Sequence, residues 1–206
     1  MALTIYGSPR SRTMRTLWMA EECGLSYTLI PYAYEDPVLK EPAFLTLNPA
    51  GAIPTIDDDG VVVAESLAIN LYLAKKYRAQ GHDPLYPREP AGEARTWQWT
   101  LWAQAHLEPW VQQDRLLEEL RTAIAAPARP VVAQSLAVLE RTLQQRGWLV
   151  GEHFSVADLN VAGVLSPSRA RTLDLRPFPA VADWLARCYA RPAAVAVRQR
   201  FANWAG

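Results

Sequence analysis

The chain has 206 residues, half of them hydrophobic, so it can form one large domain or two small ones, each around its own core. Its formal net charge is zero, which excludes a long-range electrostatic attraction to nucleic acid or to an anionic membrane. Its two cysteines, Cys23 and Cys188, are far apart and lack metal-ligand spacing, which argues against a disulfide framework and predicts no metal site.

Strand-like and helix-like patterns alternate along the first part of the chain. Residues 3–6 predict a strand, 11–23 a helix that Gly24 ends, 27–30 a second strand and 41–47 a short helix. A hairpin and a further helix follow, so the order is strand, helix, strand, helix, strand, strand, helix. This order predicts a four-stranded mixed sheet.

The hairpin and the helix after it carry the most informative residues. Pro54 opens a short apolar run, and it can leave the backbone of Ile53 available to pair with an extended, peptide-like ligand. The returning strand leads to Glu65 and Ser66 at a helix N-terminus, which attracts anions. The Ser66 hydroxyl can hold a carboxylate, and the Glu65 carboxylate can hold an ammonium group. Together these residues predict a site for the free amino-acid end of a small peptide.

An irregular stretch rich in proline over residues 79–90 is the candidate linker. No strand is predicted after it, and helices are expected at about 91–123, 130–146, 155–165, 178–190 and 192–203. Ser155 and Asp158 form a capping pattern at the start of the third of these helices, which is a structural role. The sequence therefore predicts an α/β domain over residues 1–78, a linker over 79–90 and an all-α domain over 91–206.

Taken together, these segments resemble the cytosolic glutathione transferases, in particular their serine-type, bacterial and plant-like classes, along nearly the whole chain. The matching segments are Ser8-Pro9-Arg10-Ser11, residues 48–54, Glu65-Ser66, residues 154–159, and Pro179-Ala180-Val181 with Trp184. Each segment is short, but they follow one another in the order and spacing of the family. The resemblance implies a thioredoxin-like first domain with a cis peptide bond before Pro54, an all-helical second domain and a homodimer.

The resemblance also implies a hydroxyl that activates the thiol of glutathione. Ser11 matches the position used in the plant-type serine classes, Ser8 matches the isomerase-type class, and Tyr6 lies near the tyrosine of other classes. Such a hydroxyl donates a hydrogen bond to the sulfur and favours the thiolate over the thiol. Judged from the local sequence alone, either serine could instead be only a cap of the first helix.

The implied glutathione site comprises Ile53, Pro54, Glu65 and Ser66 together with Lys40, which matches a basic position that binds the glycyl carboxylate in related proteins. From the sequence alone, the pair at 65 and 66 could also be only a helix cap. Many relatives carry a long polar or basic residue two positions before the proline. This chain has alanine there, so that contact to glutathione is absent.

Arg10 and an aromatic stripe in the second domain are assigned to the pocket for the electrophile. Trp99, Trp102, His106 and Trp110 share one helical face by their spacing. Packing into the core is the ordinary role of such a stripe. If part of it faces the cleft, Trp102, His106 and Trp110 favour a flat, apolar or aromatic second substrate.

The leading interpretation is a detoxification enzyme that conjugates glutathione, its cosubstrate, to an electrophilic small molecule without a tightly bound cofactor. Alternatives are a glutathione-dependent peroxidase, disulfide reductase or isomerase, and a non-catalytic glutathione-binding scaffold. No cysteine occurs at the activating position, which weakens the reductase alternative. A cytoplasmic location is expected, because neither a signal peptide nor an apolar run long enough to span a membrane occurs.

Overall fold

The computed structural model describes residues 3–77, 84–111, 118–167 and 173–204, without the side chains of 118–129. Contacts divide the chain into two compact units. The first comprises Met1–Tyr86 with Arg191–Gly206, and the second comprises Pro87–Ala190. The end of the chain thus belongs to the first unit. The domain boundaries inferred from sequence stay a prediction, and residues 79–83 of the expected linker lie outside the described residues.

The first unit is built on a four-stranded mixed sheet in the order β2-β1-β3-β4. Strand β1 (Leu3–Tyr6) runs parallel to β2 (Tyr27–Ile30) and antiparallel to β3 (Thr55–Asp58). Strand β4 (Val61–Ala64) completes a hairpin with β3. The sheet predicted from the order of elements is confirmed.

Helices α1 (Thr13–Glu22) and α3 (Ser66–Lys76) pack against each other beside this sheet. A short 3₁₀ turn (Pro37–Lys40) and α2 (Pro42–Leu47) lead from β2 towards β3. The core of the unit consists of apolar side chains from both layers that are fully buried: Ile5, Leu17, Ile56, Ile69 and Leu73. Their burial positions α1 and α3 on the sheet.

A buried carboxylate ties the C-terminal end of α3 to the sheet. Asp58 accepts hydrogen bonds from the hydroxyls of Tyr72 and Tyr77, at 2.9 and 2.7 Å, and from Lys76 Nζ at 2.7 Å. Burial acts to raise the pKa of Asp58, but the bonds from Lys76, Tyr77 and Tyr72 outweigh it and hold that pKa below its usual value. The cluster therefore holds an ionised carboxylate inside the unit.

The second unit is helical. Its elements in chain order are α4 (Pro90–Trp102), a π-helical turn (Ala103–Leu107), α5 (Glu108–Val111), α6 (Glu118–Leu143), α7 (Val156–Leu165) and α8 (Pro179–Tyr189). The expected break between residues 123 and 130 is wrong, because α6 runs through Pro127 and Pro130. A proline disturbs only the turn before it, and a long helix can continue past it. None of the described helices is long and apolar enough to cross a membrane.

The π-helical turn has a cause in the sequence. Pro109 has no N–H to give to the carbonyl four residues earlier, and its ring crowds that carbonyl. The chain widens instead, and Glu108 donates its N–H to the carbonyl of Ala103, five residues back. The hydroxyl of Ser135 in α6 donates to the carbonyl of His106 at 3.1 Å. The widened turn is thus held from a neighbouring helix.

Asp158 organises the start of α7. It forms a capping box with Ser155, whose N–H it accepts at 3.0 Å. Its other oxygen accepts the N–H of Leu149 and the indole N–H of Trp184, both at 2.9 Å. Burial raises the pKa of Asp158, although these hydrogen bonds act to lower it. The capping role predicted for Ser155 and Asp158 is confirmed.

Helix α9 (Pro192–Arg200) returns to the first unit and packs against α1. Arg191, just before α9, forms a bidentate ion pair with Glu22 through Nε at 2.7 Å and Nη2 at 2.8 Å. The indole N–H of Trp18 donates to the same carboxylate at 2.9 Å. Since Glu22 is buried, this satisfied pair anchors α9 to the end of α1.

Candidate functional site

The segment before β3 contains a cis peptide bond between Ile53 and Pro54, as the resemblance implied. Asn48, a buried side chain at the end of α2, holds this segment in place. Its Nδ2 donates to the carbonyl of Ala52 and to Thr55 Oγ1, both at 2.9 Å. The sequence indicated this asparagine only as part of the family-like segment 48–54, because the pattern does not show what its side chain binds.

Lys40 lies against the same segment. Its Nζ donates to the carbonyl of Gly51 at 3.0 Å and to that of Ala50 at 3.4 Å. The approach requires glycine at 51, where φ is +55° and an added Cβ would lie 2.6 Å from the carbonyl oxygen of Leu39. An ammonium group has three donors, so these two bonds leave one for a ligand.

Glu65 and Ser66 stand at the N-terminal end of α3. Glu65 has φ +68° and ψ +114°, a conformation that costs a non-glycine residue about 1–3 kcal/mol. Its side chain is exposed, whereas Ser66 is buried. Strain of this kind persists where the surrounding structure imposes it, and it is concentrated at ligand sites.

Arg15 contacts a predicted site residue, and the sequence did not assign it to the site. It is 4% exposed, and its Nη1 donates to Ser66 Oγ at 3.2 Å. In the sequence it was visible only as one of several arginines near the first helix. The contact joins residues 51 positions apart, and no local pattern reports such a pair.

Ser8 and Ser11 lie in the turn that precedes α1. Ser11 Oγ is 2.7 Å from the carbonyl oxygen of Ser8 and 2.8 Å from Thr13 Oγ1, and it accepts the N–H of Thr13 at 3.1 Å. Ser8 Oγ accepts the N–H of Arg10 at 3.3 Å. The residue that caps α1 is Arg12, so neither serine is the N-cap itself.

Tyr6, the third hydroxyl considered, ends β1 within an aromatic cluster. Its ring stacks on Tyr32 at 6.2 Å between centroids and meets Phe44 edge-on at 5.9 Å. Burial, followed by the charge of Asp57 and the Tyr32 hydroxyl, raises the pKa of Tyr6. A phenol with a raised pKa is a weaker hydrogen-bond donor than an ordinary one.

The residues assigned to the electrophile pocket lie in different settings. Arg10 is an exposed residue of the first unit. In the second unit, Trp102 is half-buried and packs edge-on against Trp99 at 5.3 Å, His106 is exposed in the π-helical turn, and Trp110 is half-buried in α5. The single face expected for this stripe assumed regular α-helical geometry. The π-helical turn shifts Trp110 around the axis relative to Trp102 and Trp99.

The serine turn, the cis-proline segment and the start of α3 are neighbours in the first unit. A Cβ added at Gly7 would lie 2.2 Å from Thr13 Oγ1 and 3.1 Å from Ile53 Cβ, so the serine turn adjoins the cis-proline segment. Arg15, in the first turn of α1, donates a hydrogen bond to Ser66. Among the described residues, no group of three His, Cys, Asp or Glu side chains could hold a metal ion.

Comparisons with known proteins show the family to which the chain belongs. Residues 9–76 match the family profile for the glutathione S-transferase N-terminal domain, and residues 100–192 match that for the C-terminal domain. The chain is 33% identical to Glutathione S-transferase 3 from Zea mays, over 93% of this chain and 90% of the relative. It is 30% identical to Disulfide-bond oxidoreductase YfcG from Escherichia coli, over 93% of this chain and 92% of the relative. Poplar glutathione transferase F1 matches at a TM-score of 0.86 and 25% identity, over 98% of this chain and 99% of that one.

Proposed function

This chain belongs to the glutathione S-transferase family and is a transferase, and on that premise we propose how its residues bind glutathione and activate its thiol. The observation that carries the proposal is the start of α3, where a strained, exposed Glu65 precedes a buried Ser66 held by Arg15. We assign this place to the γ-glutamyl end of glutathione.

The γ-glutamyl end carries one ammonium and one carboxylate group. The carboxylate is placed at the N-terminus of α3, where the first backbone N–H groups and the helix dipole favour an anion. Arg15 donates into Ser66 Oγ, so the proton of Ser66 can point towards that carboxylate. Glu65, with its carboxylate in solvent, takes the ammonium group. The strained backbone of Glu65 sets the direction of its side chain.

The remainder of glutathione runs along the cis-proline segment. The backbone of Ile53 pairs with the cysteinyl residue of the ligand as a short added strand, and Pro54 fixes the turn into β3. Lys40 offers its third donor to the glycyl carboxylate. The Glu65 carboxylate, the Lys40 ammonium group and the backbone edge at Ile53 thus select a tripeptide with a carboxylate at each end.

Ser11 is the hydroxyl assigned to the sulfur. A fall of roughly two units from a thiol pKa of ~8.5 needs about 2.7 kcal/mol of preferential thiolate stabilisation. A hydrogen bond to a charged group supplies ~1.5–3 kcal/mol, and the N-terminus of α1 a further ~0.3–1 kcal/mol. Ser8, buried and bonded to the N–H of Arg10, is the alternative. The raised pKa of Tyr6 makes it a weaker candidate.

Glutathione titration by calorimetry tests the binding site. The Glu65→Ala variant should bind glutathione at least tenfold more weakly than the wild type, because the ammonium group loses its counter-charge. Glu89→Ala, at another exposed carboxylate that precedes a helix, is the matched control and should bind normally. Equal affinity in Glu65→Ala and wild type would refute the assignment.

Thiolate absorbance of bound glutathione against pH tests the activating hydroxyl. Ser11→Ala should raise the pKa of the bound thiol and slow turnover by roughly 10- to 150-fold near neutral pH. Measured below the pKa of the wild-type bound thiol, its glutathione affinity should be nearly normal, because only the thiolate form loses a hydrogen bond. Ser8→Ala is the control. If Ser8→Ala shifts the pKa and Ser11→Ala does not, the role passes to Ser8.

Disulfide reduction is a second candidate activity, because one relative is named a disulfide-bond oxidoreductase. Cys23 and Cys188 are both buried, and burial raises the pKa of Cys23 to about 12, so glutathione itself would have to supply the attacking thiolate. A panel of aryl halides, a small disulfide, a hydroperoxide and an isomerisable substrate separates the activities. Turnover of the aryl halides supports conjugation, and glutathione binding without any turnover supports a scaffold.

We further propose a cytoplasmic detoxification enzyme that forms a homodimer. Exposed apolar side chains occur in β4, at Val61 and Val62, and in α4, at Trp97 and Leu101, and a partner copy would cover such surface. Light scattering should report about twice the chain mass of 23.0 kDa, and a monomer would contradict the dimer.

Arg10, Trp102, His106 and Trp110 stay predictions for the electrophile pocket.

A further inference from the structure

We propose that Thr13 is a positioning residue for Ser11, one that leaves the Ser11 hydroxyl able to donate a hydrogen bond but unable to accept one from the thiol. This inference deepens the proposed function and rests on the assignment of Ser11 to the sulfur. It concerns how the Ser11 hydroxyl distinguishes a thiolate from a thiol. A freely rotating serine hydroxyl could donate to either form or accept from the thiol, so it would distinguish them poorly.

The direction of each hydrogen bond around Ser11 follows from the chemistry of its neighbours. The carbonyl oxygen of Ser8, 2.7 Å from Ser11 Oγ, can only accept, so the single proton of Ser11 is donated to it. Thr13 Oγ1, 2.8 Å away, must then be the donor in its bond to Ser11. The backbone N–H of Thr13 donates to the same Oγ at 3.1 Å.

Thr13 therefore fills both acceptor positions of the Ser11 hydroxyl. A hydroxyl oxygen has two lone pairs, and here one receives the N–H of Thr13 and the other its O–H. An S–H group that approaches Ser11 finds no free lone pair, whereas a thiolate can accept the proton of Ser11. The arrangement thus favours the ionised form of glutathione over the neutral form.

The position of the Thr13 hydroxyl is fixed by packing. The Thr13 side chain is completely buried, and an added Cβ at Gly7 would lie 2.2 Å from its Oγ1. The absence of a side chain at Gly7, where φ is +140°, is what makes room for the hydroxyl. Thr13 is also the first residue of α1, so its N–H points out of the helix towards Ser11.

When glutathione binds, the Ser11 proton turns from the Ser8 carbonyl to the sulfur, and the thiol proton leaves to solvent. Both bonds from Thr13 remain in place during this change. An oxygen that accepts hydrogen bonds becomes a stronger donor, so Thr13 also strengthens the bond from Ser11 to the thiolate. Thr13 itself does not touch the sulfur, which separates its role from that of Ser11.

The test is the pKa of glutathione bound to Thr13→Val, which keeps the shape of the side chain and removes its hydroxyl. The pKa should rise by about half to one unit, and turnover below that pKa should fall by about three- to tenfold. Measured below the pKa of the wild-type bound thiol, glutathione affinity should change less than about twofold, since the binding residues are untouched and only the thiolate form is affected. Thr13→Ser, which keeps the hydroxyl, should titrate like wild type. If Thr13→Val does not fold, Thr13→Ala removes the same group with less bulk.

A double-mutant cycle shows whether Thr13 acts through Ser11. In a Ser11→Ala background, Thr13→Val should leave the pKa of bound glutathione unchanged. A shift there as large as in the wild type would mean a general structural effect and would overturn the inference. A normal titration of Thr13→Val beside a shifted Ser11→Ala would also overturn it, while leaving the role of Ser11 intact. If Ser11→Ala itself titrates like wild type, the proposed role of Ser11 fails, and the inference with it.

Discussion

The two ends of α3 hold buried polar groups of different kinds. At the C-terminal end, Asp58 is surrounded by three donors from the protein and has an ion pair with Lys76. At the N-terminal end, Ser66 receives one bond from Arg15, and the neighbouring Glu65 is strained, with its carboxylate in solvent. The first group is complete without a ligand, whereas the second places charge and donors where a ligand can use them. The comparison separates residues that stabilise the fold from residues that we propose to bind glutathione.

The largest effect expected from this comparison is on the stability of the fold, at the Asp58 cluster beside the C-terminal end of α3. Asp58→Asn replaces the ionised acceptor with a neutral amide and leaves Lys76 without its counter-charge, which should lower the free energy of unfolding by about 2–4 kcal/mol. Urea denaturation measures the loss. The control Glu152→Gln, also a change from carboxylate to amide but at an exposed residue, should change the free energy of unfolding by less than about 0.5 kcal/mol. If Asp58→Asn unfolds at the wild-type midpoint, the cluster is not a stabilising one.

The next effect is on binding, at the open end. Arg15→Met removes the donor that orients Ser66, and it should weaken glutathione binding by roughly 10- to 150-fold, the equivalent of ~1.5–3 kcal/mol. Stability should change less, because a buried charge is removed at the same time. Calorimetry measures the change in glutathione affinity, and urea denaturation of the same preparation measures the change in stability. Arg15→Lys should recover only part of the affinity, since an ammonium lacks the planar fork of the guanidinium.

A smaller effect is expected from the strained backbone of Glu65. Glycine adopts positive φ without the steric cost, so Glu65→Gly should raise the free energy of unfolding by about 1 kcal/mol while it weakens glutathione binding. Thermal unfolding without ligand should show the gain in stability, and calorimetry with glutathione should show the loss of affinity. A variant less stable than the wild type would mean that the conformation of Glu65 is not a strained one.

The smallest effect is a pH dependence, and it belongs to Asp58. Since the folded protein holds the pKa of Asp58 below its ordinary value near 3.8, this group stabilises the fold fully above that value. The contribution is lost as the pH falls through the lowered pKa. Unfolding midpoints measured between pH 6 and pH 2 should therefore drop less steeply in Asp58→Asn than in wild type. Parallel curves would place the acid sensitivity elsewhere.

Much of the fold could be read from the sequence, because it depends on local patterns. The alternation of short apolar strands with helices gave the four-stranded sheet, and the family, the cis bond before Pro54 and the transferase activity are confirmed. The course of α6 through Pro127 was missed, since two separate helices were expected, at about 91–123 and 130–146. The π-helical turn was also missed, because Pro109 lies inside an aromatic stripe with regular helical spacing.

The candidate site was only partly readable. Glu65, Ser66 and Ser11 stood out because a helix N-terminus and a turn are local features. Arg15 did not, because its contact to Ser66 depends on how α1 packs against α3. The proposed role of Thr13 depends on the hydrogen bond between its hydroxyl and that of Ser11, and on the close approach of Thr13 to Gly7. Sequence spacing alone reports neither of these contacts.

The return of α9 to α1 also governs the order in which the protein can be completed during synthesis. Arg191 pairs with Glu22 at the end of α1, but along the sequence the whole second unit lies between these two residues. A ribosome must therefore finish Pro87–Ala190 before the first unit can receive its last helix. Until then, the surface of α1 that α9 covers stays exposed on the nascent chain, where chaperones could bind it. An isolated fragment of the first 86 residues would carry that surface permanently.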